Sequence, residues 1–444
     1  MKNTYIILII ATVLLCSCKK FLDEKSNSKL ATPETLEDNQ ALLDRNFVLG
    51  LNTVSGQISA EDVYVSEADF NNMSQEAEKR IYTWQPDHVS LTEGNDWENT
   101  FRRINIFNTV LFNLENYQIP NSDNVKGQAL VFRASAYLEA AQLWCLAYNK
   151  RSASSALGLP LRLDPDMNVP SVRSTLKQTY EQIISDLQAA SNLLPATQIS
   201  VIRPSKVTAL GFLSRVYLYM GEYEKALQYG NEALSIYSQL LDYNVLNGSA
   251  TYPIIAMNKE ILLPTSMAYS AFLGSNQAKI APDFYNSYEN NDLRKELYFR
   301  KNAQGEILFR GNYTGSSTRS TALATDEVYL SVAESYAETN DLTMAMQTLN
   351  QLLIKRWRSG FFVPFTATTK EETLQIIKRE RRKELLFRGI RWADLKRYNR
   401  DGANLHLTRV LNGITYQLPP NDLRYAIAIP EDIIKMTGMP QNRR

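Results

Sequence analysis

The stretch Leu213-Ser214-Arg215-Val216-Tyr217-Leu218-Tyr219-Met220-Gly221-Glu222-Tyr223-Glu224-Lys225-Ala226, running on to Ala233, decides the fold class. Ser214, Tyr217, Gly221, Tyr223, Ala226 and Ala233 place small and aromatic residues at the offsets of a helix–turn–helix unit. Small residues let the paired helices approach closely, the glycine permits the tight turn, and the tyrosines fill the groove between them. A second segment carries Ala333, Tyr336, Asn340, Leu342, Ala345 and Leu352 at the same offsets. One such hairpin arises by chance in an amphipathic sequence; two that match point to a repeat.

The offsets are those of a tetratricopeptide repeat. The equivalent alanines Ala226 and Ala345 lie 119 positions apart, which is not a multiple of the 34-residue period of such repeats. The hairpins are therefore expected to be interrupted by an insertion of about 242–320, rich in Gly, Asn, Ser and Tyr. Within it, Leu297-Tyr298-Phe299-Arg300 and Ile307-Leu308-Phe309 flank Asn302-Ala303-Gln304-Gly305 as a predicted β-hairpin. Long irregular insertions usually carry function. Elsewhere, Leu176, Tyr180, Ile183, Ile184, Leu187, Ala190 and Leu194 form a helical stripe that Pro195 stops. Ile104 to Leu114 and Ala129 to Leu143 carry similar stripes. The expected fold is mostly α: a tetratricopeptide-like helical-hairpin scaffold with a loop-rich ligand-binding lobe.

The chain opens with Lys2, an apolar run from Tyr5 to Leu15, and Leu15-Cys16-Ser17-Cys18. A charged start, an apolar core and a cysteine stop read as a lipoprotein signal, with Cys18 as the lipidated residue. The run is too short to span a bilayer, which needs about 20 apolar residues. A buried N-terminal helix is the weaker reading. The expected layout is a signal over 1–17, a polar tether over 18–35 and a single body over 36–444, attached to a membrane by acyl chains alone. Cys145, inside Ala140-Ala141-Gln142-Leu143-Trp144-Cys145-Leu146, reads as a small buried apolar residue rather than a catalytic thiol. Across 444 residues, 48 basic and 47 acidic side chains nearly cancel, which speaks against a nucleic-acid binder.

The densest charge run is Lys378-Arg379-Glu380-Arg381-Arg382-Lys383-Glu384, followed by Leu385-Leu386-Phe387-Arg388-Gly389-Ile390-Arg391-Trp392-Ala393-Asp394-Leu395-Lys396-Arg397. Glu384 and Arg388 fall at i, i+4, and Asp394 and Arg397 at i, i+3, so a paired-charge helix packed on the core is expected. The run also resembles the C-terminal signature of the SusD/RagB nutrient-binding outer-membrane lipoproteins of Bacteroidetes-type bacteria. Glu380, Arg381, Arg382, Glu384, Leu385, Gly389, Arg391, Trp392, Asp394, Leu395 and Arg397 match it; Arg388 stands where the family commonly has Glu. Further landmarks follow in family order: Cys18 to Asp23, Tyr82-Thr83-Trp84, Trp97, Ile104 to Asn108, Phe132 to Tyr137, Gly158 to Leu161, Asp292-Leu293-Arg294, Ile429-Pro430-Glu431 and Gln441-Asn442. The resemblance implies a surface protein that captures an oligosaccharide, or in some members a peptide. It also implies delivery to a SusC-like TonB-dependent transporter at the outer membrane, with no catalysis and no cofactor.

Independent chemistry is scarce in the sequence. The only histidines are His88 and His406, and no His-Glu-x-x-His, Walker-type loop or Gly-x-Ser-x-Gly is present. A surface glycoside hydrolase of the same uptake system is the alternative reading, and would need two carboxylates facing one cleft. Binding of sugar rings or peptide side chains calls for flat aromatic faces flanked by polar groups. Trp84, Trp97, Trp144, Trp357 and Trp392 read as packing, which leaves aromatics in irregular stretches as ligand residues. These are Tyr64 and Phe70 near Asn71 and Asn72, then Tyr252, and Tyr269 and Phe272 near Asn276. No metal site is expected.

Overall fold

The computed structural model describes residues 33–46 and 50–444. Cys18, the signal and most of the tether lie outside the described residues. The frame is a run of antiparallel helices: α1 (Asp96–Asn116), α2 (Asp123–Trp144), α3 (Leu176–Leu193), α4 (Lys206–Met220), α5 (Tyr223–Ile236), α6 (Thr325–Glu338), α7 (Leu342–Leu353), α8 (Lys370–Glu384) and α9 (Arg391–Arg400). Each of α1 to α7 packs on the next, and α8 closes against α6 and α7.

The two repeat segments form as predicted. Gly221, at φ 77°, turns α4 into α5, and Asn340, at φ 70°, turns α6 into α7. Both residues adopt the left-handed conformation that glycine and asparagine tolerate best. Ser214 Oγ donates to the Ala226 carbonyl at 2.8 Å, fastening the first hairpin. Although far apart in sequence, the two hairpins stack, because α5 packs on α6. At that contact a Cβ on Gly230 would lie 2.4 Å from Val332 Cγ2 and 2.9 Å from Ser214 Oγ, so only glycine fits.

Between α5 and α6 the chain runs through short strands and two short helices, Pro282–Asn286 and Leu293–Tyr298. A four-stranded sheet forms there from β1 (Val63–Tyr64), β2 (Lys279–Ile280), β3 (Phe299–Lys301) and β4 (Ile307–Phe309), in the order β1-β2-β4-β3. The predicted hairpin is β3–β4, with Phe299 opposite Phe309. Its first strand begins two residues later than expected, because Leu297 and Tyr298 complete a helix capped by Asp292.

The charged segment is two helices rather than one. Phe387 at φ 59° and Gly389 at φ 74° break it between α8 and α9, so the expected Glu384–Arg388 pair does not form. Glu384 instead meets Arg294 at 3.0 Å and Arg356 at 2.7 Å, and Arg388 meets Asp326 at 3.0 Å. The Asp394–Arg397 pair forms at 2.8 Å, buried, with Arg397 also gripping Glu334 at 2.6 Å. Cys145 is buried, as its apolar neighbours predict.

Two outcomes follow. Gly230→Ala should lower stability by about 1–3 kcal/mol through overpacking, although alanine is the better helix former by about 1 kcal/mol; a chemical-denaturation midpoint at or above wild type would contradict the close approach. The second concerns acid. Burial pushes the Glu380 carboxyl up, but Arg294 and Lys383 outweigh it and hold it at about 2, against an ordinary 4.5. Because the folded value is the lower one, its contribution is present above the ordinary value and drains as pH falls from about 4.5 towards 2. Glu380→Gln should be less stable near neutrality yet lose less stability across that window. Equal losses in both proteins would contradict the assignment.

Candidate functional site

The loop after residue 265 is anchored before it is exposed. Ser266–Met267 pairs in parallel with Leu51–Asn52, Met267 N–H donates to the Arg319 carbonyl at 2.9 Å and Ala268 N–H to the Asn52 carbonyl at 2.8 Å. Farther along, Phe272 N–H donates to the Glu78 carboxyl at 3.3 Å. The Arg319 guanidinium donates to the Leu273 carbonyl at 3.0 Å while its face covers the Phe387 ring at 4.1 Å. Held at both ends, the loop presents Tyr269 to solvent with 86% of its surface exposed.

The facing wall is the turn that opens α1. Asn95 caps the helix, its side-chain oxygen accepting from Glu98 N–H at 2.9 Å and its amide donating to the Leu91 carbonyl at 2.9 Å. Asp96 accepts from the backbone N–H of Val54 at 3.1 Å and of Ser55 at 2.9 Å. Between this wall and Ala268–Tyr269 runs a narrow cleft lined also by Glu78, Ser90, Leu91 and Gly94. Burial pushes both the Glu78 and Asp96 carboxyls up, against hydrogen bonds from Ser270 and Phe272 to the first and from Ser55 and Val54 to the second. Both acids thus fasten the backbone around the cleft. The cleft itself is narrow, about 40 Å³, so the surface offered to a ligand is the exposed Tyr269 ring, whose flat face suits the apolar face of a sugar ring.

The five aromatics singled out in the sequence are not equivalent. Tyr269 is the exposed ring at the cleft. Phe272, three residues on, is fully buried with its ring 4.4 Å from that of Tyr82, so it is a core residue and not a ligand platform. The expectation failed because irregular backbone has no period that tells inward from outward positions. Phe70, half-buried, also packs on Tyr82 at 6.1 Å, under the Lys79 ammonium. Tyr64 sits half-buried in β1, in register with Lys279, and Tyr252 is half-buried within electrostatic reach of Arg319. Neither lines the cleft. Sequence reasoning missed Glu78, Asn95 and Asp96; only the Asn-Asp pair ahead of Trp97, a helix-capping pattern, could have signalled the last two.

The C-terminal signature has a part in this site. A Cβ on Gly389 would lie 3.0 Å from Thr321 Cγ2 and 3.3 Å from Met267 Cε. The break between α8 and α9 thus packs directly on the strand that launches the Tyr269 loop. Among the described residues, no helix is long and apolar enough to cross a membrane, and no group of three His, Cys, Asp or Glu is placed to hold a metal ion.

Known proteins share this architecture. A SusD-like family model, described as starch-binding associating with outer membrane, matches residues 20–218, and the SusD family model matches residues 228–439. A SusD-like protein P2 of Formosa agariphila is 49% identical over 51 residues, a stretch that spans 12% of this chain and 10% of that relative. A SusD superfamily protein from Bacteroides thetaiotaomicron superposes with a TM-score of 0.73 at 24% identity, over 92% of this chain and 100% of its own. A SusD-like carbohydrate binding protein from Bacteroides vulgatus does so with a TM-score of 0.67 at 19% identity, over 91% and 97%. With the repeat scaffold, the signature at α8–α9 and these matches together, the chain belongs to the SusD/RagB family.

Proposed function

We propose that this chain is a cell-surface glycan-binding lipoprotein that captures oligosaccharide at the Tyr269 cleft and delivers it to a SusC-like TonB-dependent transporter. It is held at the outer membrane, facing outward, by acyl chains on Cys18. The layout that serves this role is a signal over 1–17, a tether over 18–35 and a body over 36–444, with the segment 242–320 carrying the exposed ring. The observation that carries the reading is Tyr269 itself: an aromatic face 86% exposed on a loop tied down at both ends. Leaving such a ring in water gains nothing for folding, and holding it still lowers the entropy cost of stacking it on a ligand. The starch-binding description of the family model over 20–218 favours a glycan over the peptide that a RagB-like member would take. Binding rather than hydrolysis is the reading that the family match favours, and the two acids of the cleft, Glu78 and Asp96, are buried and hold backbone N–H groups of Phe272, Val54 and Ser55.

The test is equilibrium binding of the full chain to a panel of neutral oligosaccharides and of peptides. Tyr269→Ala should weaken retention of a glycan at least tenfold while leaving the thermal midpoint unchanged. Phe272→Ala should instead cost about 3–5 kcal/mol of stability, as for other buried phenylalanines. Glycan retention indifferent to Tyr269, or retention of peptides alone, would overturn the proposal.

A further inference from the structure

A second, larger recess lies away from Tyr269. It is a cavity of about 700 Å³ between α8, α9 and the short helix Pro282–Asn286, a size within the range of small-ligand pockets. Its floor is formed by Phe284, Tyr398 and Leu405, and its rim carries Lys378, Arg379, Arg382 and Arg391 against the single carboxylate of Asp283.

The rim cations differ in how they are neutralised. Arg391 is satisfied by Glu61 at 2.5 Å and Arg382 by Asp62 at 2.9 Å. Lys378 has no carboxylate within ion-pair distance among the described residues; its ammonium rests over the Tyr398 ring at 4.8 Å. Arg379 pairs with Glu380 at 3.1 Å and lies over the Phe365 ring at 5.6 Å, and Glu380 already serves Arg294 at 2.6 Å and Lys383 at 3.3 Å. The Arg379 side chain remains 44% exposed. Lys378 therefore faces the recess with no carboxylate partner, and Arg379 shares its one acid with two other cations. In a chain of formal net charge +1, this is local surplus rather than a general basic field.

We propose that this recess is a second subsite, for an anionic sugar unit, with Lys378 and Arg379 engaging a carboxylate or sulfate. This extends the glycan-binding reading and rests on it. Guanidinium and ammonium groups are the usual partners of both anions. An extended acidic peptide fits less well, because the lining is helix and loop, with no open strand edge for its backbone to pair with.

The experiment measures binding of oligogalacturonate, of sulfated carrageenan oligosaccharide, of a neutral maltooligosaccharide and of polyglutamate to the full chain, at low and high salt. Lys378→Ala and Arg379→Ala, singly and together, are compared with wild type and with Tyr269→Ala. The proposal expects salt-sensitive binding of at least one anionic glycan, weakened about tenfold or more by the double variant, while the variant's thermal midpoint and its binding of neutral glycan stay at wild-type values. The carboxylated and sulfated arms identify which anion is read. Anionic-glycan binding unchanged in the double variant, no anionic glycan bound, or polyglutamate bound in preference would each overturn it. Loss of glycan binding on Tyr269→Ala alone bears on the first cleft and leaves these outcomes separately readable.

Discussion

Everything in this structure depends on a line of buried arginines and acids that ties the irregular segment to the helical frame. Arg294 grips Asp292 at 2.7 Å, Glu380 at 2.6 Å and Glu384 at 3.0 Å. Glu384 also accepts from Arg356, which reaches Glu260 at 2.7 Å. The Tyr313 hydroxyl lies 2.6 Å from Glu260 and 3.1 Å from Asp326, giving its single proton to one of the two carboxyls, and Asp326 holds Arg388. A buried charge is costly unless paired and hydrogen-bonded, and breaking one such pair typically costs about 3–5 kcal/mol. Replacing a whole pair by well-packed apolar groups is often neutral, so the network's contribution is register: each guanidinium accepts only one arrangement of the acids around it.

That register reaches the Tyr269 cleft. Arg388 also donates to the Ala322 carbonyl at 2.5 Å, and the turn that contains it puts Phe387 under the Arg319 guanidinium and Gly389 against Met267. Arg319 and Met267 bracket the loop that lifts Tyr269 into solvent. The signature at α8–α9 is therefore remote from the exposed ring in sequence and supports it mechanically. The departure at Arg388 belongs to the same logic: an acid at that position would face Asp326 with like charge, whereas arginine completes the line.

The sequence was legible wherever a period or a turn residue governs the backbone. Gly221 and Asn340 announce the hairpins because only a few residues accept their conformation, and the stripes of α1 to α3 announce themselves by three- and four-residue spacing. The partners of Glu384 were not legible: they lie 90 and 28 residues away, and local spacing favoured Arg388 until a positive φ at Phe387 removed the helix between them. The aromatics divide in the same way. Tyr269 and Phe272 sit in one loop with similar neighbours in sequence, yet one is exposed and the other buried, because Glu78 and Tyr82 from a distant segment fix which side faces inward. Asn95 entered the site through helix capping, a local role that says nothing of a ligand by itself, and Asp96 through bonds to Val54 and Ser55, 42 and 41 residues away.

The central claim is that the anchored loop exists to hold an aromatic face for a glycan. It is tested most directly by a crystal structure of the chain with a retained neutral oligosaccharide. The account predicts a sugar ring lying flat against Tyr269, with its polar edge towards Asn95 and the turn that opens α1. An oligosaccharide seated elsewhere, with Tyr269 still bare to solvent, would contradict it.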